Sequence, residues 1–325
     1  MHFCTVLWGF TAILGKAISL RALPLVWWRM LLVACLLAAW PGFWRGMRAM
    51  SPRLIAIYAG IGAVIALHWV TFYESIKLAN ASVAATCMAL APISMAFIEP
   101  VVARSRFDAR EVWLGVAAVP AGALVIGGTP AGMRAGIAVG VVSAFAAALF
   151  GALNKRFLGS SNALVVTGIE MVAGVVAVSV FSLALRVGVP WVLPGTRDAV
   201  LLVSLAVGCT LVPFALWLVV LRQLSAFTSA LIINMEPVYA VGLASVLLGE
   251  QRELSITFYA GVMILVGVVF GHPLWLRRAA CPALNRKTWR ACSSRLRSRT
   301  CHHSTIRTLR GILRRRRQRS EFDCR

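Results

Sequence analysis

Ten apolar stretches, each about as long as a bilayer is thick, fill residues 3 to 270. A helix crossing a hydrocarbon core of about 30 Å needs about 20 mostly apolar residues. Segments near that length run from Phe3 to Leu20, Leu23 to Ala39, Leu54 to Ile76, Ala81 to Ala103 and Val112 to Ile126. They continue from Gly136 to Leu153, Leu164 to Leu185, Val200 to Leu221, Ala226 to Leu248 and Leu254 to Phe270. The period-two alternation of transmembrane strands is absent, and runs this long satisfy their backbone groups in lipid only as helices. Composition agrees: the chain is 60% hydrophobic and 14% charged, where water-soluble domains carry about 25% charged residues. An all-α membrane protein of ten transmembrane helices is the fold class.

The second run of five stretches echoes the first. Pro92 and Pro237 fall inside stretches four and nine, 145 residues apart, and Lys77 and Arg222 keep the same offset. Duplicating a unit with an odd number of crossings places its copies in opposite orientations, which is the inverted-repeat plan of secondary transporters. Residues 1–128 form the first repeat, 129–273 the second, and 274–325 a basic tail.

Lysines and arginines set the orientation, because positively charged short loops stay cytoplasmic. With the N-terminus inside, cytoplasmic loops carry nine such residues and the opposite loops six. The tail adds weight on the same side, placing both termini in the cytoplasm. The first stretch has neither a charged leader nor a small-residue cleavage site, so it reads as a first span, with a few residues expected upstream of Met1.

Of the net charge of +22, residues 277–325 supply +14. Such a segment is expected to be disordered. One reading of Arg314 to Arg317 is a clamp on anionic inner-leaflet lipid; the plainer one is an extension without selected structure. No nucleic-acid partner is expected. Cys4, Cys35, Cys87 and Cys209 lie singly in apolar stretches as small hydrophobes. With no C-x-x-C pair, neither metal nor cofactor is expected, and Cys301-His302-His303 does not complete a zinc set.

Glu236-Pro237-Val238-Tyr239, then Leu247-Leu248-Gly249-Glu250 and a helix with Gly261 and Gly267, resembles the end of an EamA domain of the drug/metabolite transporter superfamily. The first half carries a weaker copy, with Trp8-Gly9, Ala91-Pro92, Gly115 and Gly122; Arg106 and Asp108 stand where the second half has Gly249-Glu250. The resemblance spans residues 3 to 272. It implies two inverted five-helix repeats that move small organic solutes, such as amino acids, metabolites or drugs, across the bacterial inner membrane.

An ionisable side chain at membrane depth costs about 2.5 to 3.5 kcal/mol or more, so it marks the bundle interior or a watery cavity. Glu236 is the leading candidate: it falls mid-span beside Asn234 and precedes Pro237, whose missing N–H leaves carbonyls free for a solute. A carboxyl group out of water exchanges protons readily, which makes it a candidate proton or cation site; a structural ion pair is the competing reading. Lys16 is a candidate for an anionic group, with Glu74 as its salt partner. Arg29 shares that role as a candidate; snorkelling near a span end is the competing reading for both and the favoured one for Arg29. His68 sits 145 residues before Pro213, with Trp69 and Phe72 paired to Phe214 and Trp217; these aromatics are candidates for a solute pocket. Trp27, Trp28, Trp40, Phe43 and Trp44 read as interfacial anchors. Glu170, alone in span seven, must find a partner in space or carry a proton. Glu99 is expected to pair with the nearby basic loop, and the small residues Gly60, Gly62, Gly168 and Gly174 to let helices approach.

No H-E-x-x-H, G-x-S-x-G or phosphate-binding loop occurs. A carrier is therefore the expected function. The alternatives are an intramembrane enzyme acting on a lipid-linked substrate, or a membrane scaffold or sensor; oligomeric state is not encoded in any feature above.

Overall fold

The computed structural model describes residues 1–103, 120–159, 161–224, 229, 232–233, 235–264 and 266–268. The tail, the basic loop from Arg104 to Arg110 and Asn234 lie outside the described residues.

Every described element is helical. The first repeat contains α1 (His2–Ala17), α2 (Ala22–Ala38), α3 (Pro41–Arg48), α4 (Pro52–Leu78), α5 (Ala81–Met88), α6 (Ala91–Ala103) and α7 (120–128). The second contains α8 (Arg134–Phe157), α9 (Ala163–Leu185), α10 (Thr196–Ala206), a π-helical turn (Val207–Leu211), α11 (Val212–Leu221), α12 (Glu236–Leu248) and α13 (256–264). Five stretches among the described residues are long and apolar enough to cross a membrane: Pro52–Leu78, Ala81–Val102, Ala131–Phe157, Ala163–Leu185 and Thr196–Leu221. The protein is an all-α, two-repeat membrane protein.

Breaks fall where the sequence dictates. Pro41 starts α3 at 86° to α2, because proline suits the first turn of a helix and cannot continue one. The fourth stretch is not continuous: Ala89 and Leu90 form a turn, after which α6 begins with Pro92 at its second position. The ninth does the same at Met235, 145 residues after Leu90, with Pro237 second in α12. Both repeats thus carry a broken helix at corresponding places.

The repeat also shows in how basic residues are used. Lys77 at the end of α4 donates to the carbonyls of Gly15 (2.9 Å) and Ile18 (2.6 Å) at the end of α1. Arg222, its counterpart after α11, donates to the carbonyl of Ser161 just past α8, and Ser161 is 145 residues beyond Lys16. In the first repeat the cation satisfies carbonyls orphaned at a helix C-terminus; in the second it reaches the carbonyl just before Asn162, the N-cap of α9.

The Gly249-Glu250 pair joins the two repeats. Gly249 ends α12 with φ of 71°, a conformation that favours glycine. The turn delivers Glu250, which is 1% exposed, to the start of α5. Its carboxylate accepts from the backbone N–H groups of Ala81 (3.0 Å) and Ser82 (2.8 Å) and from the Ser82 hydroxyl (2.7 Å). Beside it, Asn80 Nδ2 donates to Glu253 (3.0 Å) while Asn80 Oδ1 caps Val83 N–H (2.9 Å). A carboxylate at a helix N-terminus meets free N–H donors and a favourable dipole.

The main core gathers side chains from α1, α2, α4, α5, α8, α9 and α11, among them Leu25, Met30, Ile65, Tyr73, Val166 and Leu218. One backbone-to-backbone approach within it is at Gly62 of α4: a Cβ there would lie 2.3 Å from the Glu170 carbonyl oxygen of α9. That approach is open to glycine alone.

Candidate functional site

Proline 213 begins the construction of the site. It has no N–H to return to the carbonyl four residues back, that of Cys209, and the chain there relaxes into the π-helical turn. Arg29 of α2 takes up the released groups. Its Nη2 donates to the Cys209 carbonyl (3.4 Å) and its Nε to Thr210 Oγ1 (2.6 Å). Thr210 in turn donates to the Leu205 carbonyl (2.8 Å), and Arg29 Nη1 donates to the Tyr73 hydroxyl (2.7 Å). The guanidinium lies 3.8 Å from the Trp69 ring centroid, a cation–π contact. Arg29 is 1% exposed, so it does not snorkel. Sequence position suggested a span end; the structure places a buried cation instead, fixed by residues 40 to 181 positions away in the chain.

Arg29 lines a central cavity together with Glu236. Glu236, 8% exposed, opens α12 behind the break at Met235. Aromatic rings from both repeats form the rest of the wall. Trp217 packs edge-on against Trp8 (6.3 Å) and Phe150 (5.7 Å), and lies 5.3 Å from Phe214. Phe214 is edge-on to Trp69 (6.4 Å), and Phe72 and Phe150 flank His68 at 6.2 and 5.4 Å. Met88 and Ala91 bring the broken helix of the first repeat to the same space. The empty space among these side chains is about 900 Å³, open solvent at its mouth included.

His68 is held in place by α8. Its Nδ1 lies 3.0 Å from the Ser143 carbonyl and 2.8 Å from the Ser143 hydroxyl, while that hydroxyl donates to the His68 carbonyl (2.9 Å). With the serine proton committed to the carbonyl, Nδ1 carries the imidazole hydrogen and Nε2 is the acceptor. Trp217 Nε1 donates to Ser229 (2.8 Å), and the buried Thr11 hydroxyl has no partner among the described residues. Ser229 and Thr11 both line the cavity.

Glu236, His68, Trp69, Phe72 and Trp217 therefore meet in one cavity, as their types suggested. Lys16, exposed in the last turn of α1, and Glu74 are not among its lining residues. Glu170 is fully buried but elsewhere. Sequence reasoning favoured snorkelling for Arg29 and did not single out Thr11, Met88, Phe150 or Ser229. Pro213 carried the available signal for Arg29, since a mid-span proline leaves a carbonyl that a donor must reach. The anchors also divide: Trp40 and Trp44 are exposed, but Phe43 is buried against Gly168, and Trp27 donates to Ser179 across to α9 (2.9 Å).

Comparison with known proteins fits this architecture. No curated protein matches the sequence. Among solved structures 15 chains match. One crystal structure shares 17% identity with a TM-score of 0.60, covering 85% of this chain and 96% of its own; at that identity it shows a common fold. The EamA-like transporter family matches twice, over residues 2–128 and 134–271. With both repeats matched, the chain belongs to the EamA-like transporter family.

Proposed function

We propose that the protein is a secondary carrier that moves small organic solutes across the bacterial inner membrane by alternating access. The supporting observation is that a buried cation and a buried carboxyl, Arg29 and Glu236, both line one aromatic cavity to which both repeats contribute. Burying charge costs several kcal/mol per ion, and that cost is offset when a polar solute completes the site. Half-helices broken at Leu90 and Met235 border the same space, which is where carriers with inverted repeats bind their cargo.

The wall selects for solutes with an apolar body and a charged or polar end, amino acids, metabolites and drugs among them. Arg29 orients an anionic group, Glu236 meets a cationic group or a coupling proton, and the tryptophans and phenylalanines cover the apolar part. The His68 imidazole and Thr11 hydroxyl supply neutral hydrogen bonds. Both termini are cytoplasmic in this reading. Uptake and efflux of a metabolite panel, compared in cells with and without the protein, tests it directly. At least one solute should move faster with the wild type, and Arg29→Gln should lower its rate at least tenfold, since removing one partner of a buried charge site costs about 2–5 kcal/mol. A panel that moves equally with and without the protein contradicts the proposal.

A further inference from the structure

A second polar site lies away from the cavity, in the seam where α4 meets α8 and α9. The Glu170 carboxyl is 0% exposed, and neither oxygen has a hydrogen-bond partner among the described residues. Asn154 of α8, also 0% exposed, lies within side-chain reach of it, yet its Oδ1 and Nδ2 meet no partner at hydrogen-bonding geometry among the described residues. Buried polar atoms are nearly always satisfied, so four unpartnered atoms on two neighbouring side chains require an account.

The surrounding charges do not provide one. On α4, Tyr58 donates to the Phe157 carbonyl (2.9 Å) and the Ser161 hydroxyl (3.1 Å), His68 is held by Ser143, Lys77 is held at α1, Arg53 is exposed and Glu74 is half-buried. On α2, Arg29 is committed to Tyr73, Thr210 and Cys209. Lys155 and Arg156 of α8 donate to the carbonyls of Leu221 and Val102, and Arg222 after α11 to that of Ser161. Arg45 and Arg48 of α3 are exposed. Among the described residues no cation is aimed at Glu170.

We infer that Glu170 and Asn154 form a proton-binding site distinct from the solute cavity. The chemistry follows from donor and acceptor counts. An ionised carboxylate can only accept, so it would engage Asn154 Nδ2 and leave Asn154 Oδ1 facing a negative oxygen. One added proton changes the match: the acid O–H donates to Asn154 Oδ1 while Nδ2 donates to the acid carbonyl, and all four atoms are paired. Releasing the proton leaves an unpaired buried charge, which requires water and hence separation of the seam. Gly62 of α4, whose Cβ would lie 2.3 Å from the Glu170 carbonyl oxygen, lets α4 close over the pair. Proton release and seam opening are therefore one event. The coupling of that event to solute movement rests on the carrier reading; the proton site itself does not.

Infrared spectroscopy of the full chain in nanodiscs at neutral pH reads the site without any solute. The wild type should show a protonated-carboxyl C=O band that is lost in Glu170→Gln, whose amide is the isostere of the neutral acid, and shifted in Asn154→Leu, which retains the acid but removes its partner. A spectrum without such a band, or a band unaltered in either variant, overturns the proton site. In proteoliposomes, solute counterflow should survive in Glu170→Gln while its response to an imposed proton gradient disappears. A Glu170→Gln variant that keeps the wild-type gradient response overturns the coupling of proton release to solute movement, whereas absence of counterflow in the wild type would sink the carrier reading alone.

Discussion

Arg29 shows how much of the site depends on one side chain seated by others. Its charge, planar stacking on Trp69 and hydrogen bonds to Tyr73, Thr210 and Cys209 form a single arrangement. Lysine keeps the charge but not the fork or the stacking. Arg29→Lys is therefore expected to fold and to lose at least about tenfold in transport, as one to two charge-assisted bonds at roughly 1.5–3 kcal/mol each are removed; initial rates of efflux check this. At Gly62, alanine would press on the Glu170 backbone, and overpacking of this kind costs about 1–3 kcal/mol. The Gly62→Ala variant should melt at lower temperature in detergent than the wild type. Residue types were legible in the sequence, and Glu236, His68, Trp69, Phe72 and Trp217, singled out by type, line one cavity. Depth and rotation were not, because hydropathy reports whether a stretch is apolar and says nothing of which face Arg29 or Lys16 presents to which neighbour.

Among the elements, the π-helical turn and the capped start of α5 carry specific consequences. Pro213→Ala restores an N–H that can return to Cys209, closing the turn that now offers its carbonyl to Arg29. The expected result is a protein of unchanged or higher thermal stability with weaker solute binding, read by quenching of the cavity tryptophans. Glu250→Ala strips the cap from the first turn of α5, where the carboxylate engages Ala81 and Ser82. Charge-assisted bonds to a buried helix start are worth about 1.5–3 kcal/mol each, so a clear loss of melting temperature is expected, with Glu250→Gln intermediate. The Gly249-Glu250 pair stood out in the sequence as a family feature, yet its partner, 168 to 169 residues upstream, could not be read from spacing. The broken helices were half legible: Pro92 and Pro237 gave their places, while the turn at Leu90 and Met235 emerged only in three dimensions.

For the whole molecule, the 145-residue offset was the most productive observation, because duplication fixes architecture more firmly than any motif. It anticipated the paired breaks and the paired cations Lys77 and Arg222. The cavity itself needed the fold, since its walls come from residues 8 to 236 and no local pattern announces their convergence. Residues 277–325 hold most of the net charge, and the described cavity residues all fall between Trp8 and Glu236, so a chain ending at Arg278 should transport like the full one at matched expression. The central claim is that the cavity is a passage open to water from one side at a time. Thr11→Cys, made in the chain ending at Arg278 after replacing Cys4, Cys35, Cys87 and Cys209, places a single thiol on its wall, and a membrane-impermeant thiol reagent applied from either face of sealed vesicles reads its access. The account predicts that transported solute changes the balance of labelling between the two faces and that Arg29→Gln abolishes this change. Thiols that stay unreactive from both faces, or react only with lipid-soluble reagents, would contradict it.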